Sequence, residues 1–268
     1  MEPLSTITQS IEKTDFLPSV LNPIGKEIGT ALSNMLHVVF FPFNYAGERV
    51  RIYEQKQISK FVEEINTTAE DIPEENLVIP RLSTVGSAME NAKYCLDESD
   101  LRKMFATLIA SSLDSQKQPY IRQSFAEIIK QLEPIDAQNL SYFAPFCVEN
   151  FKTTTIAPPI QFPCVNYVAK KITTADKTLV LASNIFLSGQ PNENYRIQSS
   201  SITNLLRLGL ISCDYIAYFI DDSKYEIYRK LPEYLNLSKQ LPSFKFDIQK
   251  GILTITPLGM DFIRTCVL

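Results

Sequence analysis

His37 is the one histidine of the chain, and it falls inside an apolar helix face. A serine or cysteine hydrolase needs an imidazole placed beside its nucleophile, and a lone histidine without a paired cysteine does not supply that constellation. The five cysteines, Cys95, Cys147, Cys164, Cys213 and Cys266, are scattered and contain no C-x-x-C pair. They read as reduced core thiols. One His without clustered Cys leaves only carboxylates for a metal, and Asp97, Glu98 and Asp100 are explained by a helix start that favours acids. GKEIGTAL carries Gly25-Lys26 but lacks the upstream glycine and the Ser or Thr after lysine of a phosphate loop. Asp221-Asp222 followed by Ser223-Lys224 reads as a surface turn. No catalytic, cofactor-binding or metal-ligating residue is assigned, and the chain is expected not to be an enzyme.

The elements around these residues belong to a folded protein. Hydrophobic residues make up 45% and charged residues 21% of 268 positions, ordinary for a globule. With only 8 Gly and no Trp, and early stretches rich in Leu, Ile, Glu, Lys and Ala, helix is favoured over sheet. The acidic start MEPLSTITQSIEKTDF does not suit a secretory signal. Met35–Phe43 is far short of the ~18 apolar residues that cross a bilayer, so no transmembrane span and a cytoplasmic location are expected. Residues 1–145 carry 13 basic and 20 acidic groups against 13 and 10 in 146–268. A front of −7 and a back of +3 suggest two domains of different character.

Helical spacing organises the front half. Ile24, Ile28, Ala31, Met35 and Val39 mark a first helix that Pro42 should end. Tyr45–Ile65 reads as a long charged helix with Val50, Ile58, Phe61, Val62 and Ile65 inward, and 70–76 as an acidic loop. Leu82, Val85, Ala88, Met89 and Ala92 share one face of a helix after Pro80. Ser99 can cap the next, striped by Leu101, Met104, Phe105, Leu108, Ile109 and Ser112. Ile121–Leu132 and a helix from Pro134 through Phe143 complete a bundle. The expected organisation is an N-terminal segment 1–22, a helical bundle 23–145, a proline-rich linker or seam 146–175, and a domain 176–268.

In the last of these, Asp176 can start a helix through Leu187. Ser199–Ser201 can cap a second one that Gly209 stops, and Leu210–Cys213 reads as a strand. Phe244–Ile248 and Ile252–Thr256 read as a hairpin turning at Gln249–Gly251, and Pro257 opens a final helix. Asp214–Leu241, rich in tyrosine, is an insertion expected to form another strand and a short helix around PEYLNLSKQL. That order is the order of a winged helix, so the fold class is mainly α, a helical bundle followed by a winged-helix-like α+β domain.

The second helix then becomes a candidate contact surface. With Ile202, Leu205, Leu206 and Gly209 inward, Ser200, Thr203, Asn204 and Arg207 face outward. Arg196, Lys245 and Lys250 add a thin basic patch, against the ~6–10 phosphates that duplex binding neutralises. Nucleic acid is therefore the alternative partner and protein association the leading one. Phe40, Phe41, Phe43 and Tyr45 either plug the bundle or form an apolar contact patch for a partner or a membrane surface.

Blocks along the chain resemble the bacterial Abi-alpha (abortive infection alpha) family: NPIGKEIGTALSN, RVRIYEQKQISKFVEE, DESDLRKMFATLIASSLD, SFAEIIKQLEPIDAQNL, NLLRLGLIS and LTITPLGMDFIRTC. They cover most of 22–145 and 199–267, while 145–198 departs from the pattern. The most specific is the capped acidic helix with Phe105, Ala106, Leu108, Ala110 and Asp114, followed by the turn Leu132–Ala137. The resemblance implies a cytoplasmic bacterial protein of phage defence, in which an infected cell is disabled before phage spreads. It brings no catalytic residues. The expected function is non-enzymatic abortive infection through protein association or self-association, the alternative being a winged-helix nucleic-acid-binding regulator.

Overall fold

The computed structural model describes residues 16–17, 23–40, 48–152, 157–171, 178–189, 194–240 and 244–268. They divide into two compact units, Met1–Ala137 with Asp261–Leu268, and Gln138–Met260. The architecture is mainly helical, with one four-stranded antiparallel curled sheet in the C-terminal part.

The first unit holds α1 (Pro23–Phe40), α2 (Glu48–Glu70), α3 (Leu82–Ala92), α4 (Ser99–Ser112) and α5 (Phe125–Lys130). Helix α4 packs against α2, α3 and α5. Its stripe of Leu101, Met104, Phe105, Leu108, Ile109 and Ser112 is buried as expected, and Ala106 and Ala110 are buried too, so neighbours enclose it on several sides. Ser99 is not the cap: Glu98 holds that position, without a side-chain bond, and Ser99 is the first helical residue. In α1 the buried face is Ile28, Leu32, Leu36 and Phe40, with Ala31, Met35 and Val39 only half-buried. Both stripes are apolar, and the glycines settle the rotation. A Cβ on Gly29 would stand 2.6 Å from the Phe16 carbonyl oxygen, so only glycine permits that approach. Leu82, expected inward, is 67% exposed at the start of α3. Ile121 precedes α5 rather than belonging to it. Phe262, near the chain's end, meets Phe125 edge-on with ring centroids 5.2 Å apart.

The second unit takes in the length of α6 (Pro134–Lys152) beyond Ala137, then β1 (Gln161–Lys171), β2 (Thr178–Ile185), α7 (Tyr195–Arg207), β3 (Ile211–Asp214), α8 (Glu226–Lys230), α9 (Pro232–Gln240), β4 (Phe244–Ile255) and α10 (Pro257–Cys266) as far as Met260. Several expectations are corrected here. Helix α6 runs through Pro145 to Lys152. Leu140, Phe143, Ala144 and Cys147, all buried, continue one apolar stripe past the proline, and that burial offsets the lost hydrogen bond.

Residues 161–171, expected inside a proline-rich seam, form a central strand, since the sheet order is β2-β1-β4-β3. Pro163 is tolerated because pairing with β2 reaches only Val165↔Ile185, which leaves Pro163 with a neighbour on one side. Residues 178–185, expected as a helix, are a strand paired with β1; Asp176 lies outside the described residues. The expected hairpin at Gln249–Gly251 is one continuous strand whose partner is β1, in register from Gln161↔Thr254 to Lys171↔Phe244. Gly251 serves close approach instead of a turn, because a Cβ there would stand 2.5 Å from the Tyr215 ring. The resulting order, two strands, a helix, a strand, two helices, a strand and a helix, replaces the one expected.

Other expectations hold. Gly209 adopts φ +74 and closes α7, with Gly209 N–H donating to Leu206 and Leu210 N–H to Leu205. The helix starts earlier than Ser199, capped by Asn194, whose side chain accepts from Arg196 and Ile197 N–H. A helix does form around PEYLNLSKQL and another opens at Pro257.

Candidate functional site

The outward side chains of α7 form no shared cationic surface. Ile202 and Leu205 are buried, with Leu206 half-buried. The inward face also holds Gln198 and Ser201, whose side chains each accept a hydrogen bond from Asn139 Nδ2 at 2.9 Å. Thr203, expected to be available, donates to Ser199 O and accepts from Asn184 Nδ2 on β2 at 3.1 Å. Arg207 Nη2 donates to Asn204 Oδ1 at 2.8 Å, and Arg196 Nε to Tyr195 Oη at 3.1 Å. Ser200 is exposed and makes no side-chain bond among the described residues.

The remaining cations lie elsewhere. Lys245 is opposite Lys170 at one end of the sheet, ten residues up β4 from Ile255, about 30 Å along a strand. Arg207 leads within four residues into Ile211, the partner of Ile255. The two charges therefore sit toward opposite ends of β4. Lys250 is engaged by Asp222, with Nζ 2.6 Å from Oδ1, and lies near the rings of Tyr218 and Tyr225. The same ammonium holds the Asp222 carboxyl below its ordinary value. Of the apolar trio, Phe40 is buried in the first unit, while Phe41 and Phe43 lie outside the described residues.

The feature that sequence reasoning missed is built on the sheet face that carries Val165, Tyr167 and Ile248. Tyr225 and Tyr228 pack there with those residues and Ile185. Each hydroxyl finds a carbonyl: Tyr167 donates to Tyr228 at 2.9 Å, Tyr228 to Pro163 at 2.7 Å and Tyr225 to Gly251 at 3.0 Å. Burial pushes the pKa of all three phenols up from the ordinary value, so their protons are held more firmly.

This base anchors the loop after β3. Asp214 Oδ1 accepts from Ile216 N–H at 2.7 Å and Ala217 N–H at 3.4 Å, Phe219 N–H donates to Tyr225 Oη at 3.0 Å, and Asp221 caps the turn at Ser223. Tyr215 and Phe219 turn inward, and Lys224 stacks over Phe219 at 4.0 Å. What turns outward is apolar: Ile216 is 91%, Tyr218 56% and Ile220 98% exposed. The alternation in YIAYFI carries that signal only once the loop's inward partners are known.

On the opposite side of the sheet, Phe143 of α6 meets Phe162 and Phe186 with centroids 4.9 Å and 5.3 Å apart. The Cys164 and Cys213 thiols share a hydrogen bond that lowers Cys213 and raises Cys164. No group of three or more His, Cys, Asp or Glu among the described residues is placed to hold a metal. No helix among them is long and apolar enough to cross a membrane.

No curated protein and no solved structure matches the chain. Residues 53–266 match the family described as Abortive infection alpha. The match includes 145–198, the stretch where the motif resemblance lapsed, and family membership connects the protein with an abortive-infection role. With a match spanning both the helical bundle and the sheet, the chain belongs to the abortive infection alpha family.

Proposed function

We propose that this protein serves abortive infection without catalysis, by binding another protein through the loop Asp214–Asp221. The observation that supports the reading is Ile216 and Ile220, held almost fully in solvent by a loop whose backbone is tied down on the protein side. Burying each isoleucine on a partner is worth roughly 1.5–3 kcal/mol, and an ordered loop loses little entropy on docking.

The chemistry of the partner follows from the rim. Asp222 is neutralised by Lys250 and approached by Arg229, and Lys224 lies on Phe219. The loop thus offers apolar contact with little net field, which suits an uncharged protein pocket better than a polyanion or an anionic lipid surface. The nucleic-acid reading has less support, because its cations are dispersed along β4 or engaged by neighbours.

The test is phage protection in cells together with capture of complexes from infected cells. Ile216→Asp with Ile220→Asp should abolish both protection and capture, and Arg207→Ala should leave both intact. Protection retained by the double variant, or duplex-DNA binding that falls steeply with salt and disappears in Arg207→Ala, would overturn the reading.

A further inference from the structure

In the first unit, a cavity of about 60 Å³ opens beside the start of α3, lined by Arg81, Ser83, Thr84, Ser112, Gln118, Ile121 and Gln123. All but one of these residues are polar, and no acid is among them. Arg81 occupies the cap position of α3, yet no side chain caps this helix start. Ser83 and Thr84 of its first turn line the cavity, with Thr84 N–H donating to the Arg81 carbonyl at 3.0 Å. Thr84 is only 6% exposed, lines the cavity, and its hydroxyl has no hydrogen-bond partner among the described residues. The hydroxyl is not fully enclosed and stays open to the cavity, where a ligand oxygen can meet it. Arg81 forms no ion pair among the described residues, and the side chains of Ser83, Gln118 and Gln123 make no hydrogen bond among them.

We propose that this cavity binds a phosphoryl group, with the Arg81 guanidinium, the Ser83 and Thr84 hydroxyls and the start of α3 converging on its oxygens. A guanidinium matches two oxygens of such a group at once. The positive end of α3 favours the anion's charge. Size is compatible with the class: at roughly 10–15 Å³ of accessible space per water-sized atom, the volume fits the four oxygens of a tetrahedral anion. A phosphate ester would leave its organic part outside the mouth. The carboxamides of Gln118 and Gln123 can donate, and they can also accept from a protonated oxygen.

The experiment is calorimetric titration of the full-length protein with inorganic phosphate and, separately, with adenosine 5′-monophosphate, at ionic strength matched with chloride. Phosphate should bind and chloride should not. Arg81→Gln should weaken binding at least ~10-fold, the loss expected for one charged hydrogen-bond donor. Thr84→Val, which keeps the shape of the side chain, should weaken it several-fold. Circular dichroism melting without ligand guards against misfolding: Arg81 is exposed, so Arg81→Gln should melt with the parent. Tighter binding of free phosphate identifies the inorganic ion as the ligand, and tighter binding of the ester identifies a phosphorylated metabolite. No heat with either probe, or equal affinity in parent and Arg81→Gln, overturns the proposal.

Discussion

Arg102 of α4 grips Glu64 of α2 with two nitrogens, Nε 3.0 Å from Oε2 and Nη2 2.9 Å from Oε1. Its third nitrogen donates to Gln57 Oε1 at 3.1 Å and to the Leu96 carbonyl at 2.7 Å. The guanidinium is nearly enclosed, at 5% exposure, so its charge depends on these acceptors. Removing one partner of such a pair leaves the other desolvated, at a cost of roughly 3–5 kcal/mol. Arg102→Ala should therefore lower the melting temperature steeply. Arg102→Lys should recover little, because an ammonium cannot reproduce the planar fork. Thermal denaturation followed by circular dichroism reads both.

Ile216 and Ile220 behave in the opposite way, since solvent already covers them. Ile216→Asp and Ile220→Asp, singly or together, should move the melting temperature by no more than surface changes do, about 0.5 kcal/mol each. Their effect belongs in partner affinity, where each should cost roughly 10–100-fold. Melting and affinity of the purified variants separate the two quantities. A large drop in melting temperature would mean that the isoleucines support the fold.

Gly209 and Gly259 show two different needs for glycine. At Gly209 there is room for a Cβ, the nearest contact being Leu258 Cδ2 at 3.7 Å, but φ is +74. Gly209→Ala should cost about 1–2 kcal/mol through backbone strain alone. At Gly259 a Cβ would stand 1.9 Å from the Leu210 carbonyl oxygen. That carbonyl also accepts from Thr256 N–H, which ties the start of α10 to the loop after α7. Gly259→Ala should be the more damaging, about 3 kcal/mol or more. Urea unfolding of both variants tests the ranking.

Alkaline pH should weaken the fold in part through Cys147. Burial pushes this thiol up from 9.0 to about 11, and its side chain is fully enclosed. The folded state keeps its proton where the unfolded chain loses it. The contribution is thus complete below pH ~9 and lost as pH rises toward ~11, up to about 3 kcal/mol. Cys147→Ala should flatten that part of the stability curve measured from pH 8 to 11. An equal slope in parent and variant would assign the loss to other groups.

Helices α2 and α4 were legible because one strong stripe per helix leaves little choice, whereas α1 offers two apolar stripes and buries the other one. The Val50 side chain lies outside the description, while the stripe of α2 from Ile58 to Ile65, that of α4 and the stop at Gly209 all stand as read. The sheet was not, for reasons that can be named. Pro158, Pro159 and Pro163 imitate a linker, yet Pro163 needs no donor where β1 lacks a second neighbour. Leu179, Val180, Ala182 and Phe186 fit a helical spacing as well as a strand, and only pairing with β1 decides. Gly251 suggested a turn because sequence does not reveal Tyr215 lying over it. The site was hidden for a similar reason. Composition cannot say which half of YIAYFI faces water, and α7 looked like a reading helix until Asn139 and Asn184 were seen to engage two of its faces.

The chain leaves the helical unit at Ala137 and returns to it only with Asp261–Leu268, where Phe262 and Ile263 are buried. A ribosome making this protein must therefore finish the sheet before the bundle can close. Until Asp261–Leu268 emerge, the bundle lacks Phe262 and Ile263, and the apolar surface that they cover stays open to solvent.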